Sequence, residues 1–392
     1  MKSLHPYIAI LFINVCLIAS CNNAPNDIPV IDIDNPIGYI DLQLSDLLDD
    51  ITMVPLETRD DILLSTAKAS FIVTNNYILV KTEEQLLQFD HKGKFIRILA
   101  MQGNGPNEFN SLGNSLVDEE NEIFYYTNLG RNSSIARINL KTGAFLESLY
   151  PDIPPFSINA IDSKGYIYGF PLVVDSILLA YRYNPADKGI ITYKRSHPFA
   201  TGNRGQEMFA QGDHVFFLSF PYSDTLFKIS ESESIPQYVI TLKNLITDNS
   251  RGGVSLKFPY SGTQGAIIEQ WESRILMGEY GRSIDSRLLS YTFLNKKAEL
   301  QAIRSVTIDP IALIIDIDDY LKQKYERSAI GPMPITSGLW GHIAVEASDM
   351  IEFIDQALKG DRLSADQRKA LEEVSAKIDE ESNPVLIIGK VK

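Results

Sequence analysis

A short apolar strand recurs six times along this chain, each time behind a turn. It reads Tyr77-Ile78-Leu79-Val80, Ile123-Phe124-Tyr125-Tyr126, Tyr166-Ile167-Tyr168, Val215-Phe216-Phe217-Leu218, Arg274-Ile275-Leu276-Met277 and His342-Ile343-Ala344-Val345. Turn-forming pairs such as Asn75-Asn76, Glu120-Asn121, Lys164-Gly165 and Gly212-Asp213 stand just before it. In five units a second strand follows, closing on a polar or turn-side residue (87–90, 136–139, 181–184, 226–230, 289–293). Hairpin turns at Lys92-Gly93, Thr142-Gly143 and Lys188-Gly189 then lead into a third strand. A lone meander of this kind has two apolar faces and cannot bury both. It needs like neighbours on either side.

The recurrent strands start at 77, 123, 166, 215, 274 and 342, so the intervals are 46, 43, 49, 59 and 68 residues. The first three match a four-stranded blade of about 40–50 residues. The longer ones require insertions, a Gly/Ser-rich loop over 247–265 and a segment over 308–338 with a short helix near 318–328. In the last unit Met350, Ile351, Ile354 and Leu358 follow a helical period, and Ser364-Ala365-Asp366-Gln367 is a capping box opening a second helix to about 378. Asn383-Pro384 ends that helix, and VLIIGKV over 385–391 is a final strand. The expected fold is all-β, a six-bladed β-propeller over 51–392 with a helical hairpin (about 348–381) inserted in its last blade. Either 28–33 (IPVIDI) or 51–58 (ITMVPLET) is expected to pair with 385–391 and close the ring. Pro55 keeps the second of these at a sheet edge. Residues 40–50 suit either a strand with a short turn or one helical turn. An open solenoid would need polar caps, and VLIIGKV is a poor one.

Residues 1–21 lie outside the fold. Lys2 supplies a positive start and 7–19 an apolar run broken only by Asn14, too short to span a bilayer comfortably. Cys21 ends that run behind Ala19-Ser20, the arrangement of a lipobox in which the Cys is acylated after cleavage; a plain secretory signal cut near Ser20 is the alternative. Acyl chains contribute about 0.8 kcal/mol per buried CH₂, so two or three hold a protein on a membrane durably. Polar, turn-rich residues 22–26 then read as a tether, and 22–50 as tether plus an N-terminal strand. The two cysteines are Cys16 and Cys21, so the mature chain has no disulfide and no thiolate nucleophile. The formal net charge of −14 disfavours nucleic acid as a partner.

The lipobox, VPLET over 54–58, a GxGPxEF-type loop over 103–109, the helical hairpin and NPVLIIGKVK at the end together resemble the six-bladed β-propeller lipoproteins of Bacteroidetes-type bacteria, a kind of NHL- or TolB-like propeller. The resemblance covers nearly the whole mature chain. It implies the propeller fold and a place in the cell envelope. With a lipid on Cys21 and no acidic export-type signal at Asn22-Asn23, the expected address is the outer membrane, the periplasmic side favoured and the surface possible. The resemblance implies no settled activity. The loop departs from the family pattern at Asn104 and Asn107, where Arg and Gly are common, which puts a basic ligand contact there in doubt.

The residues offer few sites. The loop GNGPNEF (103–109) has an echo in GNRGQEMF (202–209) at the corresponding inter-blade joint. Its glycines permit a tight turn and its Glu residues can accept backbone N–H bonds, which is the structural reading. The functional reading gives Asn104, Glu108, Asn203, Arg204 and Glu207 a polar mouth for a glycan or peptide. Trp271 and Trp340, just before recurrent strands, are core anchors or sugar platforms. The loop lacks a phosphate-binding Gly-Lys-Ser/Thr ending, no G-x-S-x-G elbow occurs, and no two of the five His are spaced as ligands. No cofactor and no metal is expected. The expected function is a membrane-tethered binding or scaffold module for a glycan, peptide or envelope protein; a propeller-type hydrolase or lyase at the central channel is the alternative.

Overall fold

In the computed structural model the described residues are 28–391 apart from 29, 33–37, 106, 113, 129–133, 153–155, 172–177, 195–205, 212–213, 220–224, 230–232, 242–245, 249–254, 258–264, 272–273, 283–286, 295–299, 317–334 and 338. They are mostly β. Six antiparallel meanders follow one another along the chain, with a separate two-stranded ribbon (Ile246–Asp248 with Ser255–Lys257) between the fourth and fifth in sequence. The first sheet runs Ser70–Val73, Tyr77–Lys81, Gln85–Asp90, Phe95–Gln102, in that spatial order. The second runs Ser115–Asp118, Ile123–Asn128, Ser134–Asn139, Phe145–Leu149, and the third begins at Phe156–Ile161 and ends at Ile190–Lys194. The fourth spans Gln206–Gln211 to Ser234–Thr241 and the fifth Gly265–Trp271 to Leu300–Ile308. The sixth is ordered Ile335–Ser337, Trp340–Val345, Val385–Val391, Leu48–Pro55.

All six recurrent strands are second in their sheets, so each unit begins one strand earlier than the repeat suggests. The reason is burial. A second strand has partners on both sides and is covered on both faces, as Ile78, Leu79 and Val80 show at 0% exposure, so it carries a continuous apolar run. Some first strands are weaker in pattern, such as Ser115–Asp118 with one buried residue of four.

Turn chemistry sets the hairpins. Asp90 Oδ1 accepts from Lys92 N and Lys94 N, and Asp162 Oδ1 from Lys164 N and Tyr166 N, while Gly93, Gly143 and Gly165 take positive φ. Apolar clusters join neighbouring sheets. Leu79, Leu86 and Phe109 pack with Phe124 and Tyr126 between the first and second; Tyr125 and Ile135 pack with Phe156 and Tyr181 between the second and third. Tyr168 and Tyr193 meet Val215 and Ile229 between the third and fourth. The strand Gln206–Gln211 touches Gly265–Trp271, linking fourth to fifth. Ile303, Val306 and Ile308 of the fifth share a core with Ile343, Val345, Val385 and Ile387 of the sixth. Trp340, Leu386 and Ile388 of the sixth in turn pack on Phe71, Val73 and Phe89 of the first.

The N-terminal chain runs along sheet edges. Val30–Asp32 adds in parallel to Ser234–Thr241, and Tyr39–Gln43 in parallel to Leu300–Ile308. A 3₁₀ turn at Leu44–Asp46 then redirects it into Leu48–Pro55, which pairs antiparallel with Val385–Val391. Residues 51–58, not 28–33, therefore supply the strand that meets the C-terminal one. Pro55 lies on the edge strand of that sheet, where its missing N–H costs no ladder bond.

Two helices stand between the second and third strands of the sixth sheet, α1 (Ala347–Lys359) and α2 (Ala365–Ser375). The capping box that opens α2 is formed: Ser364 Oγ accepts from Gln367 N at 3.2 Å and Gln367 Oε1 from Ser364 N at 3.0 Å. Met350, Ile354, Leu371 and Val374 point into the core shared by the fifth and sixth sheets. Fully burying one such side chain contributes about 1.5–3 kcal/mol. The helix expected near 318–328 lies outside the described residues, and so does most of 247–265.

Candidate functional site

The strand Leu48–Pro55 has two ends with different surroundings. At the Pro55 end the VPLET run is locked. Leu56 N donates to Pro384 O, Glu57 N to Gly93 O at 2.8 Å, and Phe95 N to Glu57 Oε2 at 2.9 Å. Asn383, 2% exposed, donates from Nδ2 to Glu57 O and Ile62 O, accepts from Leu64 N, and gives its N–H to Thr58 Oγ1. Glu346 Oε1 accepts from Ser65 Oγ, Thr66 N and Thr66 Oγ1. Asn383 and Glu346 thus satisfy the backbone and hydroxyl groups of the 57–66 loop.

At the other end the strand borders a cavity of about 620 Å³. Its walls are residues 48–53, the 3₁₀ turn at Asp309–Ile311 and one side of α2. Asp309 fixes the walls to each other: its Oδ2 accepts from Ser45 N and its carbonyl from Gln367 Nε2, each at 2.7 Å. Leu48, Ile51, Met53 and Val374 supply apolar lining. Asp49, Asp50, Asp309, Asp366 and Glu373 supply five carboxylates against the one ammonium of Lys377. Its size and partly apolar lining fall in the range of hollows that small ligands and side chains occupy.

Among the described residues no group of three or more His, Cys, Asp or Glu is placed to hold a metal ion. The strongly shifted groups lie elsewhere; hydrogen bonds from Arg304 and Ser305 hold the Asp41 carboxyl down at about 2. Burial pushes the Tyr125 and Tyr126 hydroxyls up to about 12 and the His342 imidazole down to about 4. Burial also lowers the Lys81 ammonium, whose Nζ donates to Ser115 Oγ at 3.3 Å.

A family model described as "Domain of unknown function (DUF4934)" matches residues 28–390. The chain belongs to the DUF4934 family. This DUF4934 chain is similar in structure to a protein of Bacteroides fragilis described as a "Putative exported protein", with a TM-score of 0.60 at 15% identity over 93% of this chain and 99% of that one. The two share a fold. A protein described as "putative TolB" from Agrobacterium tumefaciens aligns at a TM-score of 0.35 and 9% identity, over 65% of this chain and 88% of that one. No curated protein matches the DUF4934 chain in sequence.

Asn104, Glu108 and Trp340, singled out from sequence, do not line the cavity. Asn104 and Glu108 share one exposed loop, where Glu108 Oε2 accepts from Gly105 N at 2.6 Å and Asn107 takes a φ of 73°. Phe109 behind it is fully buried. Glu207 sits within the first strand of the fourth sheet, opposite Leu218, whereas Glu108 pairs with Met101 on an outer edge. The described part of the echo, 206–209, is therefore paired differently from Glu108–Phe109. Asn203, Arg204 and Cys21 lie outside the described residues. Trp271 ends the first strand of the fifth sheet. Trp340, 8% exposed, donates from Nε1 to Asn75 Oδ1 at 3.1 Å and lies edge-to-face with His91 at 4.8 Å, with Lys390 Nζ 5.8 Å from its ring centre. Sequence reasoning missed the cavity. Its one local sign was the acidic and apolar mixture of 40–50.

Proposed function

We propose that the chain is an exported, lipid-anchored envelope protein whose β-sheets form a closed six-bladed propeller, and that it works as a binding or scaffold module for a glycan, peptide or envelope-protein partner. Six consecutive meanders, each packed on the next, and the packing of the sixth on the first support the closed ring. Pairing of Leu48–Pro55 with Val385–Val391 supports closure by the two ends of the chain. The shared fold with a protein described as exported, taken with the apolar N-terminal run ending at Cys21, supports the envelope location. Outer-membrane attachment through Cys21 completes the reading.

The observation that carries the binding role is the preformed cavity between residues 48–53, Asp309 and α2. Its test is photo-crosslinking in native envelopes from a reactive residue at position 53. The wild-type protein is expected to yield a discrete adduct, and Ala370→Trp, which fills the cavity, to lose it. Absence of any adduct from the wild type overturns the reading. Localisation has its own test. A Cys21→Ala variant should leave the membrane fraction, and its retention there sinks the anchor.

A further inference from the structure

The cavity is lined by six consecutive residues, 48 to 53, of a single strand. Side chains alternate across a strand, so a wall of consecutive residues means that the hollow meets the strand at its edge rather than on one face. Leu48–Pro55 is the edge strand of the sixth sheet. Its register on Val385–Val391 slips between Asp49 and Thr52, which bends it there. The fourth and fifth sheets have their outer strands covered, by Val30–Asp32 and Tyr39–Gln43 added in parallel. Among the described residues no strand is added to Leu48–Pro55. The chain thus covers two successive outer edges with its own backbone and leaves the third beside a cavity.

We infer that an extended peptide segment carrying lysine or arginine beside aliphatic side chains docks along this edge, with its backbone on Leu48–Pro55 and its side chains in the cavity. This rests on the binding-module reading above. Backbone pairing supplies affinity and pockets for alternate side chains supply choice, as in other strand-addition complexes. The pockets here are two-toned. Leu48, Ile51, Met53 and Val374 suit aliphatic groups, and five carboxylates against one ammonium suit cations. That ratio far exceeds the 50 acidic to 36 basic residues of the whole chain, so it is not the general acidity of the molecule. Asp50 pairs with Lys390 at 3.7 Å and Glu373 with Lys369 at 3.9 Å, both exposed pairs that an incoming cation can replace. Asp366 has no cation of its own among the described residues. An acidic peptide, or a phosphate-bearing ligand, would meet repulsion on every wall.

The test is a fluorescence-anisotropy titration of the full chain with a labelled hexapeptide of alternating lysine and leucine, and with its glutamate–leucine counterpart. Saturable binding of the first and none of the second is expected. Asp366→Lys should weaken it about tenfold, with Asp366→Asn moving the same way. Raising salt from about 50 to about 300 mM should weaken it further. N-methylation of alternate peptide amides should abolish it, which a purely ionic contact would survive. Equal binding of the two peptides, or lysine–leucine binding unchanged in Asp366→Lys, overturns the inference. If the position-53 adduct forms and is lost in Ala370→Trp while the lysine–leucine peptide does not bind, the binding module stands and this assignment of its ligand falls.

Discussion

One strand, Leu48–Pro55, ends in a latch and begins in a hollow, and the contrast shows how the molecule divides stability from availability. At Pro55 the backbone and side chains of three distant segments interlock. Asn383 alone makes four hydrogen bonds across the 57–64 loop. Buried polar groups are stabilising only when so satisfied, and those around Asn383 and Glu346 are. At Leu48 the same strand has, among the described residues, a partner strand on one side only, and charge accumulates on the other. The first end resists change. The second tolerates it, which is what a surface for binding requires.

The largest way to break the contrast is at Gly93. It takes a φ of +81°, and a Cβ there would lie 2.0 Å from Pro55 O. Gly93→Ala must both strain the hairpin and push it off the latch. We expect a loss on the order of 4 kcal/mol, read by denaturant unfolding. A loss under about 1 kcal/mol would mean that the hairpin does not depend on that approach.

His342 gives the same end of the molecule a pH dependence. Its ring is 2% exposed, lies edge-on to Phe71 at 6.3 Å, and its Nδ1 has no partner among the described residues. Burial holds its pKa at about 4, below the ordinary 6.5. The native state therefore keeps the ring neutral while the unfolded chain protonates below about pH 6.5. Stability falls as pH drops from about 6.5 to about 4, by about 3 kcal/mol in all, and the term is flat outside that window. Unfolding at pH 7 and pH 5 measures it. His342→Gln should remove most of the slope, and an unchanged slope in that variant would place its source elsewhere.

At the cavity, Val374→Ala separates packing from binding. Val374 is 5% exposed and belongs both to the core and to the cavity wall. The truncation should cost about 2 kcal/mol. It should leave the Gly93 latch and the His342 titration untouched, because these sites share no partner with it. A change in the acid slope in Val374→Ala would show that the two ends are coupled after all.

The parts of this architecture that local chemistry determines were legible in the sequence. Strand periodicity, the Pro55 edge position and the Ser364–Gln367 capping box all follow from neighbours or from a single strong constraint. That 385–391 meets an N-terminal strand was expected, but nothing local chose 51–58 over 28–33 as its partner. The phase of the repeat was misread by one strand because second strands carry the stronger apolar run. Parallel addition of Tyr39–Gln43 was not foreseen. Nothing in YIDLQ distinguishes it from any short amphipathic strand, and its partner lies some 260 residues away, at the separation of the Arg304–Asp41 pair (263). The cavity was invisible for the same reason. Ser45 and Asp309 meet across 264 residues, and neither carries a motif. Glycine-rich loops drew attention instead, because their chemistry is local and reads without the fold.

The smallest effect sharpens the cavity's own wall. Ser364 caps α2, and Gln367 in that box also donates to Asp309 O, so one short motif both starts the helix and ties it to the wall opposite. Ser364→Ala removes the cap acceptor and should cost about 1 kcal/mol. The loss should stay local, with faster amide exchange in the first turn of α2 and little change across Leu48–Pro55. Exchange that rises equally in Thr52 and Met53 would mean that the cavity's walls open as one unit, and that the strand's free edge is held by the helix rather than by Val385–Val391.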